Sequence, residues 1–155
     1  MKNLTKFFMI AFIICAPTFA EAAPKKKSFK RQQTIETVDP YAGLDLVSAA
    51  RKFLGATASQ LGLPRSLWCA DFMNKITGGG TRSRVAKSYT SYGRPAQYGC
   101  VGCIAVTTRK GGGHVGVISG YDKRGNPIMI SGNYGNKVRE HSVPKSRVVS
   151  YRYAA

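Results

Sequence analysis

His114-Val115-Gly116-Val117-Ile118-Ser119-Gly120-Tyr121 is followed by Asp122-Lys123-Arg124-Gly125-Asn126-Pro127, and then by Pro127-Ile128-Met129-Ile130-Ser131. The first run alternates apolar and small or polar residues, the period of a strand with one buried face. Asp, Gly, Asn and Pro in the middle supply turn chemistry. The last run is short, apolar and β-branched, so it reads as a second strand. Strands joined by so short a turn are antiparallel neighbours. Ile104-Ala105-Val106-Thr107-Thr108 precedes this unit, and Arg147-Val148-Val149-Ser150-Tyr151-Arg152-Tyr153 closes the sheet.

The period changes upstream. Asp39-Pro40 fits a helix N-cap with proline in the first turn. Leu44, Val47, Ala50 and Leu54 then recur at helical spacing, with Gly55 as the stop. A short apolar segment, Ala58 to Leu63, ends at Pro64. Ser66 is the expected N-cap of a further helix, which carries Trp68, Phe72, Met73 and Ile76 on its apolar face and stops at Gly78-Gly79-Gly80. Cys69 falls in its first turn. Ala86, Tyr89 and Tyr92 mark a weaker helical segment. Helices first and antiparallel strands after them define an α+β domain, and no internal repeat is visible.

The N-terminus has export signatures. Lys2 and Lys6 precede the apolar run Phe7 to Ala16, and Ala20-Glu21-Ala22 has the small-residue spacing of a cleavage site. The run is shorter than the roughly 20 apolar residues that a membrane-spanning helix requires. Ile13-Ile14 stand before Cys15 in place of the small residues of a lipoprotein signal, so no lipid anchor is expected. The expected organisation is a signal peptide over 1–22, a basic disordered linker over 23–38 and one folded domain over 39–155. The linker, Pro24-Lys25-Lys26-Lys27-Ser28-Phe29-Lys30-Arg31, reads as a solvated spacer or as an electrostatic tether, and the two are compatible. A chain of 24 basic and 7 acidic residues loses Lys2, Lys6 and Glu21 with the signal and keeps 22 and 6, a net +16. Such a charge draws a protein toward polyanions. For an exported chain these are cell-wall polymers and anionic lipid surfaces.

Three cysteines follow the signal: Cys69, Cys100 and Cys103. The odd count in an oxidising compartment leaves one thiol over. Cys100 and Cys103 are the obvious pair, as a disulfide, a redox switch or an idle pair, and Cys69 remains. A helix start favours the thiolate through its free N–H groups and dipole; an isolated cysteine is otherwise a small buried hydrophobe. His114, after Gly111-Gly112-Gly113 and at a strand start, is the candidate base, or else a surface histidine at a hairpin turn. His141, beside Glu140 in a polar stretch, reads as surface. Asn133 is the candidate to orient the imidazole, with Asn136 as the alternative. A closed zinc site takes four ligands and would consume Cys69 and His114, so no metal or cofactor is expected.

Trp68-Cys69-Ala70-Asp71-Phe72, Gly113-His114-Val115-Gly116-Val117 and Ile130-Ser131-Gly132-Asn133 together resemble the nucleophile segment, histidine strand and polar strand end of the CHAP and NlpC-type cysteine amidohydrolases. The closest resemblance is to a branch of small exported proteins that share Gly99-Cys100-Val101-Gly102 and Lys145-Ser146-Arg147-Val148. It covers roughly residues 44–153. Most relatives have Gly-Asp where this chain has Gly102-Cys103. The resemblance implies a papain-like fold, cleavage of peptidoglycan amide bonds, Cys69 as nucleophile, His114 as base and Asn133 as orienter. A monomeric periplasmic or secreted hydrolase without a transmembrane anchor is the expectation, with its thiol and imidazole meeting in an open groove. A non-catalytic wall-binding module on the same fold is the rival. An exported nucleic-acid binder ranks last, because no nucleic-acid-reading motif accompanies the charge.

Overall fold

The computed structural model describes residues 42–155, with side chains from 45 onward; the expected signal peptide, the basic linker and the Asp39-Pro40 cap lie outside the described residues. Helix α1 spans Ala42–Arg51 and helix α2 spans Cys69–Ile76. A six-stranded sheet follows: β1 (Arg94–Pro95), β2 (Ile104–Arg109), β3 (Gly112–Tyr121), β4 (Pro127–Tyr134), β5 (Lys137–Ser142) and β6 (Val148–Tyr153). The spatial order is β1-β6-β2-β3-β4-β5, and every neighbouring pair is antiparallel. The architecture is α+β. Among the described residues no helix is long and apolar enough to cross a membrane.

Three tight hairpins set the register of the central strands. Lys110-Gly111 turns β2 into β3, so that Thr107 stands opposite His114 and Val106 opposite Val115. The β3–β4 turn is pinned by Asp122, whose Oδ1 accepts the Arg124 and Asn126 N–H groups at 2.8 and 2.9 Å. Gly135 and Asn136, both at φ 60°, join β4 to β5. Two residues at positive φ make the turn whose twist matches a hairpin. This turn makes Lys137–Ser142 a strand, where the polar composition gave no such expectation.

Alternation along the strands gives the sheet two different faces. Val106, Val115, Val117, Ile130 and Val138 face the helices and bury Val47, Ala50, Trp68, Phe72 and Met73. Ala105, Ile118 and Met129 form a smaller cluster on the opposite face, beneath Val143, Val148 and Tyr151. The first helix ends at Arg51, short of Gly55, and Leu54 is exposed. The cause is competition for backbone groups: Gly55 N–H donates to Val138 O at 2.9 Å and Val138 N–H to Ala56 O at 2.8 Å, tying the chain to β5. Ala58–Leu63 is a series of turns, and Ala86–Ser91 is a 3-10 helix.

Helix α2 reaches the sheet through Gly132. A Cβ there would lie 2.6 Å from Phe72 Cβ and from the Trp68 ring. Overpacking of this kind costs about 1–3 kcal/mol. Gly132→Ala is therefore expected to lower the unfolding free energy by about that amount in chemical denaturation; an unchanged midpoint would refute this account of the helix–sheet seam.

Candidate active site

Cys69 is the first residue of α2. The expected cap at Ser66 is not formed. Trp68 occupies the N-cap position without a side-chain cap, and Leu67 before it takes φ 53°. A branched side chain at positive φ is strained backbone. Packing holds it: Trp68 is fully buried, and Arg84 bonds both Ser66 O at 3.0 Å and Asp71 Oδ2 at 3.1 Å. The Ser66 carbonyl is thus a tether for the loop. Trp68 replaces the serine cap because burying its ring requires the chain to enter the helix there. The Cys69 sulfur lies within reach of three backbone N–H groups, those of Cys69, Ala70 and, from the sheet, Val115.

Val115 is the residue after His114, and β3 points the two side chains to opposite faces. Val115 packs in the helix-side core. His114 lines a cavity of about 100 Å³ on the other side, with Thr107, Arg109, Tyr134, His141 and Arg147. The thiol therefore stands one peptide unit from the His114 backbone, and no hydrogen bond joins sulfur to imidazole: the ring Nδ1 is buried without a partner. Nor do the two groups lie in an open groove. Cys69 is 3% exposed and His114 5% exposed. Cys100 and Cys103 are bonded as a disulfide just before β2, leaving Cys69 as the free cysteine among the described residues.

The residue held against the imidazole is Ser131. Its Oγ lies 2.8 Å from His114 Nε2, and it is fully buried. Gly116 makes this approach feasible, because a Cβ on it would meet Ser131 Cβ at 2.8 Å. Asn133 sits two residues further along β4 at φ 60°, where the β4–β5 register shifts by one residue. It is a bulge residue, and asparagine tolerates that left-handed conformation. Asn136, the alternative, is the exposed second residue of the hairpin turn. The signal for Ser131 was present in the sequence: it is the polar residue that ends the apolar run Pro127–Ser131, and it shares the parity of the face carrying His114.

His141 is half-buried, not a free surface residue. Its ring stacks on Tyr134 at 3.6 Å between centroids and lies 5.9 Å from the His114 ring. Both of its nitrogens are buried without partners. The Gly135-Asn136 turn was the available clue, since it folds His141 back beside the strand carrying Ser131.

Burial dominates the electrostatics. It raises the Cys69 thiol above its ordinary range, partly offset by the Val115 N–H, the Arg109 charge and the helix-start N–H groups. Burial first, then Arg109 and His141, lowers His114 to about 4. The resting pair is accordingly a neutral thiol and a neutral imidazole. The tautomer with its proton on Nε2, donating to Ser131, leaves the Nδ1 lone pair free as a base.

Two pH dependences follow. Alkylation of Cys69 by iodoacetamide should accelerate about tenfold per pH unit across neutrality, since the thiolate is a minor form there; a plateau from pH 5 to 8 would instead mean a preformed ion pair. Folding should weaken with acid. The unfolded imidazole titrates near 6.5 and the folded one near 4, so the unfolded chain binds the extra proton between those values. The His114 contribution is intact above pH 6.5 and is lost as pH falls to 4, by at most about 3 kcal/mol. His114→Gln should flatten that part of the urea-denaturation profile; an unchanged slope would contradict the assignment. No family model matches the chain, and no curated protein or solved structure matches it, so its chemistry is read from these residues.

Proposed function

We propose that this chain is an exported cysteine amidohydrolase, papain-like in its catalytic arrangement, which cleaves amide bonds of peptidoglycan. The observation that supports this most is the state of His114. It is a buried imidazole with one nitrogen fixed by Ser131 and the other unpaired, one peptide unit from a helix-start thiol. A buried polar atom left unpaired costs about 1–3 kcal/mol, and a fold retains such costs chiefly where chemistry uses them.

In the proposed reaction the substrate carbonyl enters beside α2. His114 Nδ1 makes no contact with the sulfur at rest, so the ring must turn toward α2 as substrate binds before it takes the Cys69 proton, and the ion pair forms only during the reaction. The tetrahedral oxyanion is held by N–H groups at the start of α2, including that of Cys69. Collapse expels the amine, which leaves with the proton from His114, and a thioester remains. Water, deprotonated by His114, hydrolyses it and restores the thiol. Ser131 keeps the ring in the useful tautomer, the role first expected of Asn133. The basic surface concentrates the enzyme on anionic wall, and that contribution weakens with salt.

A second reading has its own support. Near-complete burial of both groups, neutral at rest, also suits a non-catalytic wall-binding module whose basic surface does the binding. Mass spectrometry of purified peptidoglycan after digestion separates the two. Soluble fragments are expected from the mature protein and none from Cys69→Ser; no release by either would leave only the binding module, and equal release would remove Cys69 from the chemistry.

The orienting residue has a separate test. Ser131→Ala should lower kcat at least tenfold with KM little changed. Asn133→Gly removes the amide yet suits the left-handed bulge, and should leave kcat within about twofold. The reverse pattern would return the orienting role to Asn133.

A further inference from the structure

The cavity behind His114 holds more polar capacity than a one-histidine base requires. Arg109 and Arg147 are exposed at its rim, and no ion pair to either is found among the described residues. No Asp or Glu lines it. Of its lining residues, His114 has a buried Nδ1 without a partner, and the two buried nitrogens of His141 have the Arg139 backbone as the nearest group that acts on them. His114 is more than nine-tenths buried. Tyr134 covers one face of the His141 ring and fixes where its N–H can point. Two unpaired guanidiniums over buried, unpaired imidazole nitrogens make a receptor for a small planar anion, and guanidinium forks match a carboxylate.

We propose that this cavity is a carboxylate subsite, occupied by a free carboxylate of an acidic peptide substrate and held by Arg109, Arg147 and the His141 N–H. The assignment to a substrate rests on the hydrolase reading above; the anion site itself does not. It names the substrate class: a peptide that carries an ionised carboxyl group. A carboxylate is favoured over a phosphate because the cavity is small, at about 100 Å³, and its donors are few. Occupancy also helps the chemistry. Arg109 disfavours a charged His114, and a carboxylate paired with Arg109 offsets that charge just when His114 must accept a proton.

The chain has two histidines, so the imidazole resonances of His114 and His141 can be told apart with one variant. The test titrates full-length mature Cys69→Ser, which does not turn over, with N-acetylalanine, with its neutral amide and with inorganic phosphate, in separate arms at constant ionic strength. N-acetylalanine should shift both imidazole signals, and the amide should shift neither. Arg109→Gln with Arg147→Gln, both exposed and without structural partners, should weaken the effect at least tenfold. Equal shifts with the amide, silence in every arm, or a response to phosphate alone would overturn the carboxylate assignment. No bond is cleaved in this titration, so its failure leaves the hydrolase reading standing. If instead the binding is seen but Cys69→Ser releases wall fragments as well as the mature protein does, the hydrolase reading fails and the anion site stands.

Discussion

The contact between the start of α2 and the backbone of β3 is the constraint on which the rest of the site depends. The Cys69 sulfur sits within reach of the Val115 N–H, and Val115 is also a core residue pressed against the helices. Hydrophobic packing therefore places the thiol, and the strand then fixes where the imidazole must be. Because side chains alternate, anchoring Val115 on the helix side sends His114 to the other. A shift of β3 by one residue would exchange the two and put an imidazole in the core. The register is guarded by the Lys110-Gly111 hairpin on one side and, on the other, by Gly116 and Gly132, whose missing side chains admit Ser131 and α2.

That geometry also explains why the site rests uncharged. Both reactive groups owe their placement to burial, and burial penalises the thiolate and the imidazolium alike. The helix start and Arg109 pull the thiol back toward ionisation, yet the same Arg109 pushes protons off His114. One cation thus favours half of an ion pair and opposes the other half. Under the proposed hydrolase reading, ionisation waits for a change in the surroundings, such as a substrate carbonyl that takes up the developing charge.

The sheet was largely legible in the sequence because its central strands obey simple rules: period two, β-branched residues and strong turn signals. The same holds for the helix with Cys69 in its first turn, where Trp68, Phe72 and Met73 recur at helical spacing. The failures share a cause. Ser66 is the expected cap, Leu54 continues the helical spacing, and the polar stretch around His141 carries no strand signal, all from local composition. Each was decided by a distant partner: burial of the Trp68 ring, the backbone bonds of Gly55 and Ala56 to Val138, and pairing with β4. Strand β5 alternates weakly because one face carries Arg139 and His141, which serve the cavity side and not the core. At the site, cysteine and histidine stand out as residue types, whereas Ser131 is ordinary until its strand parity is known.

The same parity bears on how much chemistry the cavity can carry. Thr107, His114, Ser131 and His141 share one face of four strands, and an apolar sheet face would have been cheaper to bury. Unpaired nitrogens there gain nothing for folding, since each gives up hydrogen bonds to water without replacing them. Packing alone would favour apolar side chains at positions 114 and 141, as it does at Ile118 and Met129 further along the same face. The link to the thiol runs through one residue of this face: His114 adjoins Val115, whose N–H reaches the Cys69 sulfur.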